Sequence, residues 1–272
     1  MKSINQQTIL ITGATDGIGK LTALQLAKKQ ARLLIHGRNE EKLHRVVAEL
    51  KATSGNDKIQ GLLADFASLA QVRRLALQVS ETYDGLDTLI NNAGVGTSGE
   101  RYSQDGHELR FAVNYLAPFL FTRLLLPVLK KSAPARIVNV SSAGQHPVDF
   151  DDVMLENSFD GMKAYCQSKL ALIMFTFDLA AELQDANVTA NTLHPGTYLD
   201  TNMVRRANIT PLGKAESGAD AIVFLAISSA LEGVTGKYFN VKAETRADAQ
   251  AYDRQARKQL RELTRQLTAC SE

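Results

Sequence analysis

The sequence predicts an α/β fold, a doubly wound parallel sheet of about seven strands with helices on both faces. Three observations carry that prediction. Short apolar runs at residues 8–12, 31–36, 58–64, 86–90, 136–140, 188–193 and 237–241 alternate with helix-length segments at 18–29, 40–53, 69–83, 108–131, 162–184 and 215–229. The runs are apolar throughout rather than at every second position, as strands covered on both faces must be. The 272 residues contain no Pro/Gly/Ser linker, composition break or fixed-period repeat, so one domain spanning 1–272 is expected.

Composition narrows the function classes. Hydrophobic residues make up 44% and charged residues 22%, enough apolar material for a sizeable core and too much for disorder. A formal charge of +2 is too mild to imply a nucleic acid or an anionic membrane as partner. The two cysteines, Cys166 and Cys270, make no disulfide framework, and no Cys/His cluster has metal-ligand spacing, so no metal is expected. The first residues lack the apolar core of a signal peptide. The richest apolar stretches, 119–129 and 170–181, are interrupted by Arg123, Pro127 and Asp178, so no membrane span is expected and a cytoplasmic location is. Beyond Val241 the chain turns charged, and 242–272 is expected to be a surface helix or a mobile tail.

The first strand runs into Thr12-Gly13-Ala14-Thr15-Asp16-Gly17-Ile18-Gly19 and then directly into a helix. Glycines suit a tight turn, close approach of backbone to a pyrophosphate, and close helix–strand packing. The helix start adds unpaired N–H groups and the positive end of the dipole. Gly13, Thr15, Asp16, Gly17, Ile18 and Gly19 are therefore candidate dinucleotide contacts. A nucleoside-triphosphate loop is excluded, because Leu21 stands where the metal-binding hydroxyl would be and Ala14 where the first glycine is needed.

The second strand ends His36-Gly37-Arg38-Asn39. An acid here would hold a ribose 2′-hydroxyl, whereas an arginine accommodates a 2′-phosphate. Glycine occupies the acid's place and Arg38 follows, with Asn39 beside it, so NADP(H) is favoured and NAD(H) is the alternative. Asp65 and Phe66, after the third strand, lie at the carboxyl edge where adenine is expected. Asp65 equally suits capping of the helix starting near Ser68.

Tyr165 and Lys169 fall four apart in a helical pattern, hence on one face, where an ammonium lowers a phenol's pKa and equips it for proton transfer. The strand 136–140 ends in Ser141 and Ser142, the preceding strand in Asn91-Asn92-Ala93-Gly94, and the next in His194-Pro195-Gly196. All these ends reach the edge at which open α/β sheets bind ligands. Pro118 offers no N–H to the carbonyl of Asn114, which a water could take instead.

Taken together, Thr12-Gly13-x3-Gly17-x-Gly19, Asn91-Asn92-Ala93-Gly94, Asn114, Ser142, Tyr165-x3-Lys169 and Pro195-Gly196 resemble the short-chain dehydrogenase/reductase family, a Rossmann-fold family, in its retinol dehydrogenase and WW-domain oxidoreductase branch. The resemblance implies that Tyr165 is the general acid/base and that Lys169 tunes it while holding the nicotinamide ribose. It further implies that Ser142 polarises the carbonyl and that Asn114 anchors a water chain. Asn92, Ala93, Gly94, Pro195, Gly196 and Thr201 would border the cofactor. The expected reaction is hydride transfer between NADP(H) and the carbonyl or alcohol carbon of a small or hydrophobic substrate. Its rivals are an NAD-linked alcohol dehydrogenase and a dinucleotide-binding regulator without turnover.

Three further expectations follow. The helix 169–184 is apolar on more than one face, and the family's corresponding helices pair subunits, so a homodimer is expected. Residues 202–214, with Arg205 and Arg206, read as a lid or an ordinary loop. The acidic stretch at 149–152 reads as an insertion over the sheet edge.

Overall fold

The computed structural model describes residues 2–270; Ser271 and Glu272, at the end of the charged segment, lie outside the described residues. Each predicted strand and helix forms, with ends displaced by a few residues. The strands are β1 (Thr8–Ile11), β2 (Arg32–Gly37), β3 (Ile59–Leu63), β4 (Thr88–Asn91), β5 (Ala135–Val140), β6 (Val188–His194), β7 (Tyr238–Asn240) and β8 (Ala243–Thr245). The α-helices are α1 (Gly17–Lys28), α2 (Glu40–Ser54), α3 (Leu69–Thr82), α4 (Leu109–Phe111), α5 (Ala117–Lys131), α6 (Gly161–Glu182), α7 (Asn202–Arg206), α8 (Ala215–Ile227) and α9 (Arg254–Thr268).

All strands join one sheet in the order β3-β2-β1-β4-β5-β6-β7-β8. Every pairing is parallel except β7 with β8. The chain order reverses between β1 and β4, which opens a crevice at the carboxyl ends of those strands. Central β4 and β5 are buried at every residue, whereas the edge strand β3 exposes Gln60 and Leu63. The uniformly apolar runs therefore correspond to strands covered on both faces. One core cluster takes residues of α3, α5 and α6, the other residues of α1, α2 and α8.

The eighth strand corrects the expected seven. β8 is short and exposed throughout, and its pairing with β7 is antiparallel, so it carries no apolar signal. Of the two readings of the charged C-terminal segment the structure shows the surface helix, and its apolar edge docks on α6. Arg257 and Arg261 each stand 3.1 Å from the Asp178 carboxylate, Tyr115 and Thr264 share a 2.6 Å hydrogen bond, and Arg73 donates to the Thr268 carbonyl. Part of the second apolar face of α6 packs against the chain's own α9, through Leu260 and the Asp178 pairs.

The helical stretch Leu109–Lys131 also departs from the reading. It runs unbroken through Arg123 and Pro127 and is long and apolar enough to cross a bilayer, but 83% of its most apolar window is buried inside the fold. The stretch at 149–152 folds onto α6: Lys163 pairs with Asp149 at 3.0 Å, and Gln167 Nε2 donates to the Val153 carbonyl at 2.7 Å.

Candidate active site

The glycine-rich turn is shaped from both sides. Gly13 has φ +65°, and a Cβ there would lie 2.7 Å from the Ala93 Cα. The turn therefore needs glycine for its backbone angle and for its contact with the β4 loop. Thr12 Oγ1 accepts from the N–H groups of both Asn92 and Ala93 at 3.0 Å, and Asn92 Nδ2 donates to the carbonyls of Thr12 and Gly13 at 3.0 Å. Asp16 caps α1 by accepting from Gly17 N at 2.8 Å. The helix start with Gly17, Ile18 and Gly19 is thus presented to the crevice as a phosphate-binding turn is.

Asp16 does more than cap. Its carboxylate pairs with Lys42 at 2.7 Å and accepts from Asn202 Nδ2 at 2.9 and 3.1 Å. Burial works to raise its pKa, and Lys42, Asn202 and the Gly17 amide together overcome it, leaving the group below the usual carboxylate range. The same contacts tie α7 to the turn. Thr201 caps α7 through Val204 N at 3.4 Å and lies against Gly17, so the segment after Pro195 and Gly196 borders the crevice.

Arg38 is exposed at the end of β2, and among the described residues no carboxylate pairs with it. Gly37, next to it, packs against the Thr15 side chain, a positive reason for glycine where only a missing acid had been read. Asn39 caps α2 through Lys42 N at 2.8 Å. Asp65 does not cap α3: it accepts from Ala67 N at 3.0 Å and Gln104 at 3.2 Å, while Asp105 takes the Leu69 amide at 2.8 Å. A residue 36 positions beyond Leu69 could not be matched to it by local pattern. Phe66 is buried and stacks on His36, with ring centroids 4.2 Å apart.

Across the crevice, β5 and α6 bring Ser142, Tyr165 and Lys169 together. Lys169 Nζ lies 5.7 Å from the Tyr165 ring centroid and donates to the Val140 carbonyl at 3.0 Å. Ser141 Oγ donates to the Lys169 carbonyl at 2.8 Å, which pins α6 to the end of β5. Ser142 Oγ accepts from Gly144 N at 3.0 Å, and its hydroxyl acts on the Tyr165 phenol to lower its pKa. Asn114 Oδ1 accepts from Val95 N at 2.8 Å, and its amide donates to the Val95 carbonyl at 3.1 Å and Ser168 Oγ at 3.0 Å. A Cβ on Gly94 would sit 3.1 Å from Asn114 Oδ1 and 3.4 Å from Lys169 Nζ, so Gly94 is where these groups converge.

Two physical details correct or extend the sequence reading. Tyr165 was expected to have a lowered pKa. Burial instead raises it, and the Ser142 hydroxyl only partly opposes that. Burial also lowers Lys169 to about 8, so the lysine's charge is itself costly here. Before Pro118, the chain leaves the α-helical ladder for one π turn over Ala112–Leu116, where Ala117 N–H bonds the Ala112 carbonyl. Asn114 is at the centre of that turn, a common location for functional residues.

Sequence reasoning passed over His36, which with Thr12 holds the glycine turn, and Arg110. The Arg110 guanidinium is fully buried, pairs with buried Glu108 at 3.1 Å, and donates to the carbonyls of Gly96, Thr97 and Glu100. It fixes the loop after β4 that borders the tyrosine side of the crevice.

A phenol, a serine hydroxyl and a lysine set at the rim of a dinucleotide-type sheet define a nicotinamide-dependent oxidoreductase site. The short chain dehydrogenase family model matches residues 7–211. Human retinol dehydrogenase 13 is 36% identical over 278 residues, covering 95% of this chain and 83% of the relative. An uncharacterised protein from Mycobacterium Paratuberculosis superposes with TM-score 0.81 at 27% identity, covering 100% of this chain and 96% of the other. A Pseudomonas aeruginosa RhlG/NADP active-site complex gives 0.70 at 30% identity, covering 88% and 97%. A 3-ketoacyl-(acyl-carrier-protein) reductase from Brucella melitensis, complexed with NADH, gives 0.70 at 26% identity, covering 88% and 98%. The chain belongs to the short-chain dehydrogenase/reductase family, in its retinol dehydrogenase branch, and is an oxidoreductase with a dinucleotide-binding fold.

Proposed function

We propose that the protein is an NADP(H)-linked carbonyl reductase acting on an apolar aldehyde or ketone. The observation that carries the reading is the convergence of Ser142, Tyr165 and Lys169 at the ends of β5 and α6. A bound nicotinamide dinucleotide supplies the hydride, and the protein supplies position and protons. Ser142 and Tyr165 donate hydrogen bonds to the carbonyl oxygen, where negative charge develops. Tyr165 then passes its proton to that oxygen. Burial keeps the Tyr165 hydroxyl protonated, the state that reduction requires of it. Lys169 would hold the ribose hydroxyls of the bound cofactor, and the Asn114 backbone, four residues before Pro118, would offer its carbonyl to a proton-relaying water.

The exposed Arg38 and the glycine before it support NADP(H) over NAD(H). The apolar substrate is supported by the crevice mouth. Met162 stands one turn before Tyr165 on α6 and Met203 packs on Gly96, and both are exposed. Residues 202–214 act as the lid, held shut by the Asn202–Asp16 contact.

Fluorescence titration with NADPH and NADH, for the wild type and Arg38→Ala, tests the cofactor assignment. The reading expects NADPH to bind at least tenfold more tightly than NADH and the variant to lose that margin. Equal NADPH affinity in both proteins would remove the assignment. Turnover of benzaldehyde, decanal and a small diketone with each cofactor tests the substrate class, with decanal expected to give the highest kcat/KM.

A further inference from the structure

We propose that His36 is a positioning residue for the cofactor: its neutral imidazole clamps the Gly13 peptide, and with it the amides that open α1, against the ends of β2 and β3. The proposal rests on the reading of this turn as the dinucleotide site. His36 is 3% exposed at the end of β2. Its Nδ1 accepts from Gly13 N–H at 3.2 Å, and its Nε2 lies 2.9 Å from the Ala64 carbonyl. Those two contacts fix the tautomer. An N–H donor at Nδ1 requires that nitrogen to be the acceptor, so the proton is on Nε2 and points at Ala64. The His36 carbonyl also accepts from Ala14 N at 2.9 Å.

One residue therefore occupies two successive amides of the turn and reaches a third strand end. Phe66 stacks on the ring at an interplanar angle of 26° and holds its plane, while Ala93 closes the opposite side of Gly13. With the Gly13 and Ala14 amides committed inward, the amides left to face a pyrophosphate are those at the start of α1, which have no partner in their own helix. Burial lowers the His36 pKa to about 4, so the ring stays neutral and able to accept at neutral pH.

Paired substitutions separate the two nitrogens. Asn in place of His36 keeps an acceptor near the Nδ1 position, Gln keeps a donor near Nε2, and Phe keeps only the ring. NADPH titration of the wild type, His36→Asn, His36→Gln and His36→Phe is read beside hydrogen exchange of the Gly13 amide, which needs no cofactor. The clamp predicts His36→Asn within threefold of wild type in both. His36→Gln and His36→Phe should bind NADPH at least tenfold more weakly and exchange the Gly13 amide at least tenfold faster. The loss should appear mainly in the KM for NADPH rather than in kcat, since a clamp on the turn touches binding and not proton transfer. Should His36→Phe fail to fold, the Asn/Gln comparison decides. Equal behaviour of the Asn and Gln variants, or wild-type affinity and exchange in either Gln or Phe, would overturn the proposal. A wild type that binds neither NADPH nor NADH would instead sink the functional reading, and the exchange rates would still judge the clamp.

Discussion

Tyr165 and Lys169 show how burial and charge divide the work between two groups one helical turn apart. Burial raises the phenol and lowers the ammonium to about 8, so at neutral pH the protein holds a proton on both. Because the folded pKa of Lys169 is depressed, its charge is present below about 8 and lost as pH rises through that value, while the tyrosine keeps its proton. The pH profile of kcat/KM for carbonyl reduction should therefore be level from pH 6 upward and fall above about 8. A profile that rises through this range would mean that the phenolate is the working form. That Tyr165 and Lys169 neighbour each other was legible from their spacing within one helix, and Ser142 from its place after a strand, whereas Asn114 showed only through Pro118 four residues on and the family resemblance. His36 was not legible, since its partners lie 23 and 28 residues away and a histidine in an apolar run has no local signature.

At the scale of elements, the same contrast separates what periodicity reveals from what tertiary contact decides. The β/α alternation identified β1 to β7 and the six main helices because each buries a whole face. In α9 the buried residues are Ala256, Leu260, Thr264 and Thr268, spaced one turn apart, but two are threonines and the rest of the helix is largely charged. Its stripe was therefore hidden by composition. Leu260 is 2% exposed in the core cluster with α6, and Leu260→Ala should cost about 2–4 kcal/mol in chemical denaturation. A loss below about 0.5 kcal/mol, the usual surface value, would mean that α9 does not dock. The loop after β4 depends on Arg110 in the same way. Arg110→Met would leave the Glu108 carboxylate buried without its partner and three carbonyls without their donor, a loss of about 3–5 kcal/mol. Glu108→Gln should cost less, because the guanidinium keeps its three carbonyl acceptors and the amide oxygen can still accept from it.

For the molecule as a whole, the fold places two half-sites on opposite sides of one crevice. In the proposed function, the ends of β1 to β3 with α1 serve as the phosphate-binding half, and the ends of β4 to β6 with α6 as the proton-handling half. Thr12, Asn92 and Gly94 join them across the switch point. Burial of His36 makes this assembly sensitive to acid. Its pKa falls from 6.5 to about 4 on folding, so the unfolded chain binds the proton more tightly. The stability due to its neutral form is full above about 6.5 and is lost as pH falls to about 4, on the order of 3 kcal/mol in all. Urea midpoints at pH 7 and pH 5 should differ more for the wild type than for His36→Asn; an equal difference would contradict this assignment.

The most direct test of the account is the behaviour of Tyr165→Phe, measured as NADPH oxidation with decanal beside NADPH binding by fluorescence. Removing one hydroxyl should lower kcat by about 10²–10⁴-fold, the ordinary worth of a positioned proton donor, and leave the NADPH dissociation constant within twofold. Turnover within tenfold of the wild type, with binding intact, would contradict the claim that this phenol carries the proton.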